Sequence, residues 1–271
     1  MDIFIPSHPL VAKYVECIYI LDKKSEPLKY VSYPSPFTAI GLFSNAKVTC
    51  SEKILEIDHA VKDKYFGIAC NRLHNTLVIS YLRIVNEISI VFKPLGYNSF
   101  CGGGYDHKDM FIFTSWDADL KLLLDGVFNC DAPSKRFQII ESFLLERYTP
   151  ISEEKLLAEA IRLLCDFTKN YSLDEIAAVT GVHYKYLYRC FKKYIGCSPA
   201  HFRTIEKFRT SVYAALKEKK SVSLTNICYE NNYSDQSYFI RQFRQIAGER
   251  PTALFKDVAL YSNHKLVWKF L

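Results

Sequence analysis

The stretches LYRCFKKYIGCSP (187–199) and FIRQFRQIAGERP (239–251) carry one pattern twice. Leu187, Arg189, Phe191, Gly196 and Pro199 of the first meet Phe239, Arg241, Phe243, Gly248 and Pro251 of the second, each pair 52 residues apart. Five type-matched positions at one offset mark a repeated structural unit. In both copies the apolar residues recur at helical spacing and the basic residues fall between them, so each copy reads as an amphipathic helix that stops at its glycine.

Upstream of the first copy, SLDEIAAVTG (172–181) opens with Ser172 and, three residues on, Glu175, the pattern of a capping box, and ends on Gly181. A helix, a short glycine turn and a second helix give the helix-turn-helix layout. VTGVHY (179–184) matches NNYSD (231–235) with one extra residue in the second copy. Between the copies, SPAHFRTIEKFRTSVYAALKEKK (198–220) reads as one long helix, with Ser198 as cap and Pro199 in its first turn. It joins the two units and sets their relative position.

The apolar residues must face the preceding helices: Leu187, Phe191 and Tyr194 in the first copy, Phe239, Phe243 and Ile246 in the second. The opposite face of the second copy then holds Ser237, Arg241 and Arg244, with Gln236 at its leading edge. In the first copy Tyr184, Lys185, Tyr188, Arg189 and Lys192 remain outside. Arginine can bond guanine through two donors, and glutamine can do the same for adenine. Tyr184, Lys185, Tyr188, Arg189, Gln236, Ser237 and Arg241 are therefore the expected base-edge residues. Lys192, Lys193, Arg203, Lys207 and Arg244 are the expected phosphate contacts, which position a protein without reading sequence. A single arginine on a helix is more often a solvated charge; here the duplicated placement favours function. Whether Tyr238 packs or reads is left open, and Glu206 and Asp235 read as structural partners or caps.

The block from 155 to 257 resembles the DNA-binding domain of the arabinose-regulator (AraC/XylS) family of bacterial transcription factors. YSDQSYFIRQFRQIAGERP is similar to the signature of that family's second helix-turn-helix, and SLDEIAAVTGVHYKYLYRCFKKYIGCSP resembles the first. Three positions depart from the family pattern: Asn232 stands for a usual glycine, His183 for a usual Ser/Thr cap, and Arg250 for a small polar residue before the last proline. The resemblance implies a regulator with double-stranded DNA and RNA polymerase as partners.

The charge distribution agrees. The net charge of +6 divides into 16 Lys+Arg against 19 Asp+Glu over residues 1–154, 17 against 10 over 155–257, and two lysines in the last 14 residues. A basic back half fits a polyanionic partner. Nine scattered cysteines without a C-x-x-C pair argue against a structural zinc site and fit a reducing compartment. The N-terminus lacks the charged and apolar blocks of a signal peptide, and no apolar run reaches the roughly 18 residues of a membrane span, so a cytoplasmic protein is expected.

The front 150 residues read as β-rich. YVSYPSPFTAIGLF (30–43) is a strand pattern broken by prolines, and LVISYLRIVNEISIVFKPL (77–95) is dense in β-formers with partial alternation. CGGGYD (101–106) reads as a loop. Helical periodicity takes over from about Ser115, with Phe137, Ile140, Phe143 and Leu144 on one stripe, until Pro150 ends it. FGIACNRLHNT (66–76) followed by a strand ending in Phe92-x-Pro94-x-Gly96 looks like the N-terminal domain of some members of the same family, which implies a sensor or docking module. Tyr30, Tyr33, Phe37, Phe43, Phe92, Tyr97 and Phe100 form either core or a ligand pocket. The separated His59, His74 and His107, the lack of a phosphate loop around Gly102–Gly104 and the lack of a G-x-S-x-G elbow give no catalytic or metal constellation.

The expected architecture is α+β. A β-rich N-terminal domain with flanking helices (1–150) precedes an all-α DNA-binding domain (155–257) with two helix-turn-helix units, about 172–196 and 224–248, and a tail (258–271) whose Leu266, Trp268, Phe270 and Leu271 dock on one of the domains. The expected function is a sequence-specific transcription regulator, not an enzyme, with no cofactor and no metal. A small-molecule effector and a homodimer stay open. A constitutive DNA-binding protein with a purely structural front domain is the nearest rival, and an enzyme on the β-rich domain the more distant one.

Overall fold

The computed structural model describes residues 2–21, 28–51, 53–60, 65–71, 73–83, 85–102, 110–113, 118–217, 224–233, 235–261 and 266–271. In chain order the front half runs β1 (Asp2–Phe4), α1 (Pro9–Tyr14), β2 (Val15–Leu21), β3 (Lys29–Ser32), β4 (Thr38–Ser44), β5 (Ala46–Cys50) and β6 (Ile54–His59). It continues with β7 (Phe66–Asn71), β8 (Leu77–Tyr81), β9 (Asn86–Phe92), α2 (Gly96–Cys101), β10 (Met110–Phe113), α3 (Ala118–Phe128) and α4 (Pro133–Arg147). The back half holds α5 (Glu154–Leu164), α6 (Leu173–Val179), α7 (Tyr184–Tyr194), α8 (Pro199–Lys217), α9 (Leu224–Glu230), α10 (Gln236–Ala247) and α11 (Pro251–Asp257), and ends in β11 (Ala259–Tyr261) and β12 (Leu266–Phe270).

Two six-stranded sheets pack face to face, in the orders β1-β2-β9-β4-β7-β10 and β11-β12-β3-β8-β6-β5. The stretch 77–95 is two strands, β8 and β9, that belong to different sheets; 30–43 likewise splits into β3 and β4 across its prolines. The strands β2, β9, β4 and β7 of the first sheet are buried on both faces, which explains their near-continuous apolar sequence. From β2 and β4, Tyr19 and Phe43 point between the sheets, while Ile18, Ile20, Ile40 and Leu42 point outward into a core shared with α1 to α4. The Phe92-x-Pro94-x-Gly96 motif has a steric cause. A Cβ on Gly96 would stand 2.3 Å from the Tyr14 carbonyl oxygen, which already accepts the Lys93 amide at 2.7 Å. Of the 101–106 loop, only Cys101, the end of α2, and Gly102 are among the described residues.

The tail returns to the front half. β12 pairs antiparallel with β3, Trp268 opposite Ser32 and Phe270 opposite Tyr30. The Trp268 indole is 2% exposed and lies against Tyr19 and Tyr30, with ring centroids 5.7 and 4.8 Å away. Leu271 donates its amide to the Lys29 carbonyl at 2.9 Å, and the side chain of Leu266 lies outside the described set. Among the described residues no helix is long and apolar enough to cross a membrane.

Candidate nucleic-acid interface

Four helices of the back half, α6, α7, α8 and α10, start on a side-chain cap. Ser172 and Glu175 form a reciprocal capping box at α6: Ser172 Oγ accepts the Glu175 amide at 3.2 Å, and Glu175 accepts the Ser172 amide at 2.7 Å. Asp235 caps α10 by accepting the Tyr238 amide at 2.7 Å. His183, the departure from a hydroxyl cap, still caps α7 because its Nδ1 accepts the Lys185 amide at 3.2 Å. Ser198 accepts the His201 amide at 3.2 Å, with Pro199 as the first residue of α8. The turns inside the two units need left-handed backbone. Gly181 has φ 70° and Asn232 φ 53°, so asparagine serves where glycine is usual.

The inward assignment holds. Leu187, Phe191 and Tyr194 of α7 are buried, as are Phe239 and Phe243 of α10, while Ile246 is half-buried on the same core. Phe191 packs edge-on against Phe202 of α8, and Phe243 packs against Phe208. The long helix thus forms the inner wall of both units.

On the outer faces, Lys185, Tyr188, Arg189, Gln236, Ser237, Arg241 and Arg244 are exposed, as is Lys193, while Tyr184 and Lys192 are half-buried. Arg189 lies over the Tyr186 ring at 5.6 Å, and Arg241 over the Tyr238 ring at 5.7 Å. Both pairs obey the 52-residue offset, and both tyrosines are more than a third exposed. The sequence reading missed Tyr186 and left Tyr238 undecided. Their i, i+3 placement before the arginine, repeated in the two copies, was the available signal.

Two expected phosphate contacts are otherwise engaged. Arg203 is half-buried and donates to the Tyr171 carbonyl at 2.5 Å, and its Nε is buried without a hydrogen bond. Lys207 donates to the Asn232 carbonyl at 3.1 Å and lies over the Phe167 and Tyr233 rings. Burial disfavours the charged form of both. They sit on the inner helix, and their donors reach carbonyls of the turns on either side of it.

The basic half is also tied to the front half. Tyr33 donates to Glu249 Oε1 at 2.6 Å, and Lys269 of β12 donates to Glu249 Oε2 at 3.0 Å. Thr76 donates to the Ile246 carbonyl at 3.1 Å, and His201 Nε2 stands 2.7 Å from the Leu73 carbonyl oxygen. Tyr14 donates to Glu154 at the start of α5 at 2.6 Å. These ties involve the C-terminal end of α10, the inner helix and the start of α5, so the outer faces of α7 and α10 stay open. Among the described residues no group of three or more His, Cys, Asp or Glu is placed to hold a metal ion.

Residues 176–257 match a family model described as a helix-turn-helix domain. Among solved structures, ToxT from Vibrio cholerae shares 12% identity over 88% of this chain and 96% of its own, with a TM-score of 0.47. A transcriptional regulator with an AraC-type DNA-binding domain from Chromobacterium violaceum shares 22% identity over 37% of this chain and 89% of its own, at a TM-score of 0.34. The C-terminal domain of AraT, a response regulator from Geobacillus stearothermophilus, shares 22% identity over 36% and 81%, also at 0.34. The curated proteins give no match. The buried helix faces, the two capped turns and the matched segment make residues 176–257 a helix-turn-helix domain.

Proposed function

We propose that the chain reads two adjacent segments of one duplex site, α7 in one major-groove face and α10 in the next, about one helical turn (~34 Å) apart. The observation that carries this reading is the repeated exposed pair, an arginine over a tyrosine at the same place on two capped helices. Arg189 and Arg241 read base edges, with Lys185, Tyr184 and Tyr188 beside the first and Gln236 and Ser237 beside the second. Stacking on the tyrosine restricts each guanidinium, so less freedom is lost when it docks on guanine. Lys192, Lys193 and Arg244 hold phosphate.

The division of labour follows the expected segments: 1–150 modulates, 155–257 binds DNA, and 258–271 returns to the front sheet. The hydrogen bonds from Tyr14, Tyr33 and Thr76 to the back half support a front domain that influences how the two readers are held. The protein works in the bacterial cytoplasm, where its operator and RNA polymerase are found, with a small molecule or a second copy of the chain as the modulating partner.

The test is selection of genomic fragments by the full-length protein, followed by footprinting of the winning site across a salt series. The expected result is protection of two successive groove faces, with affinity falling steeply as salt rises. Weak retention without sequence preference would refute the two-segment reader.

A further inference from the structure

Among the described residues of the front half, two spaces differ sharply in size. Between the sheets, around Glu87 and Tyr81, only about 30 Å³ is left, room for about one water. On the outer face of the first sheet, beneath α2, α3 and α4, lies a cavity of about 230 Å³. Its floor is Ile40, Leu42 and Ile90, and four rings, Phe92, Tyr97, Phe100 and Phe143, line it together with Leu123 and Leu144. Among the described residues Arg147 is the one ionic side chain on its wall, and its guanidinium lies over the Phe143 ring at 5.2 Å.

We infer that this cavity is a binding site for a neutral, flat, apolar molecule with two fused rings. The size follows by proportion: an apolar cavity of about 150 Å³ holds benzene, so one half as large again holds about nine or ten non-hydrogen atoms. The shape follows from the walls, because four aromatic side chains offer edges and faces to a planar guest. Neutrality follows from the described lining, which is apolar but for Tyr97, Cys101 and Arg147, with the guanidinium laid on the Phe143 ring. The site lies beside the hand-over to the DNA-binding half. Directly after Phe143, Leu144 and Arg147 of α4, Tyr148 meets the Tyr14 hydroxyl, which also donates to Glu154 of α5, and the Thr149 amide donates to the Ser99 carbonyl of α2 at 2.7 Å. A guest that moves the end of α4 therefore moves the entry to α5; this consequence, though not the site itself, rests on the modulating role proposed above.

The probe is indole, nine non-hydrogen atoms and uncharged, titrated into the full-length protein by calorimetry, with octanoate as the anionic comparator. Saturable one-to-one indole binding, weakened at least tenfold by Leu123→Phe and by Leu144→Phe, is the expected result. Should either filled variant fold poorly, isotope-edited contacts from indole protons to the methyl groups of Ile40, Leu42 and Ile90 in the unaltered protein decide the location. No saturable indole binding, equal binding by well-folded filled variants, contacts elsewhere, or octanoate bound more tightly than indole would each overturn the assignment. Operator binding by the ligand-free chain is measured separately; its absence would refute the DNA reading and leave the indole result standing.

Discussion

Replacing Trp268 with alanine tests whether the tail is a working part of the front domain. The indole is 2% exposed and packs between Tyr19 and Tyr30, which belong to different sheets. Truncating a buried aromatic of this size costs about 3–5 kcal/mol through lost transfer energy and the cavity left behind. Phe270, two residues on and on the same strand, is 39% exposed, so Phe270→Ala should cost no more than about 1 kcal/mol. Urea unfolding followed by circular dichroism gives both values on one scale, and the Trp268 variant should also melt roughly 10 °C lower. Amide exchange adds a local readout: the Val31 amide, which faces Lys269 of β12, should lose protection in Trp268→Ala before the amides of β4 do. A loss below about 1 kcal/mol, or equal losses for the two variants, would refute the docking of the tail and with it the argument that β12 completes the sheet.

Three further outcomes are expected. Arg241→Ala should weaken binding to the selected site by about 1–3 kcal/mol while changing random-DNA affinity little; equal losses on both would make Arg241 a phosphate contact. Burial raises the Glu87 carboxyl to about 7 from an ordinary 4.5, against the favourable hydrogen bonds from Ser89 and Tyr81. The native chain then keeps a proton that the unfolded chain releases, so stability is greatest below pH 4.5 and falls by about 3 kcal/mol as pH rises to 7. Glu87→Gln should flatten that slope, and urea titrations at pH 5 and 8 that fall in parallel for both proteins would contradict the assignment. Ser172→Ala should cost about 1 kcal/mol by removing the cap of α6, measured by thermal melting, and an unchanged melting temperature would show the capping box to be idle.

The DNA-binding half was legible because its constraints are local. Ser172 with Glu175, Gly181 with its turn, and Leu187 with Phe191 each act within a few residues, and a second copy repeats them. Less legible there was the direction of long side chains on a helix with two buried sides. Arg203 and Lys207 have the spacing of surface charges, yet α8 is walled by Phe191 on one flank and Phe243 on the other, and their donors end on the Tyr171 and Asn232 carbonyls. The front half was legible only as β-rich. Pairing partners are set by residues far apart in the chain, so neither the separation of β8 from β9 into two sheets nor the pairing of β12 with β3 leaves a local trace. The aromatic residues divided in a way composition does not announce: Phe92, Tyr97 and Phe100 line the large cavity, Tyr30 and Phe43 fill the space between the sheets, and Tyr33 turns toward Phe208 and Glu249.

The pairing of β12 with β3 has a consequence for synthesis. A ribosome delivers β3 early and β12 only after the whole helical block has emerged. Until then the edge of β3 has unpaired backbone groups, and the indole that fills the space beside Tyr19 and Tyr30 is missing. The helix-turn-helix units, whose contacts are short in sequence, can fold first, and the front sheet closes last around a strand from the other end of the described chain. Order of appearance and order of completion are thus reversed, and a nascent chain stalled after α11 would present a formed DNA-reading half joined to an unfinished front half.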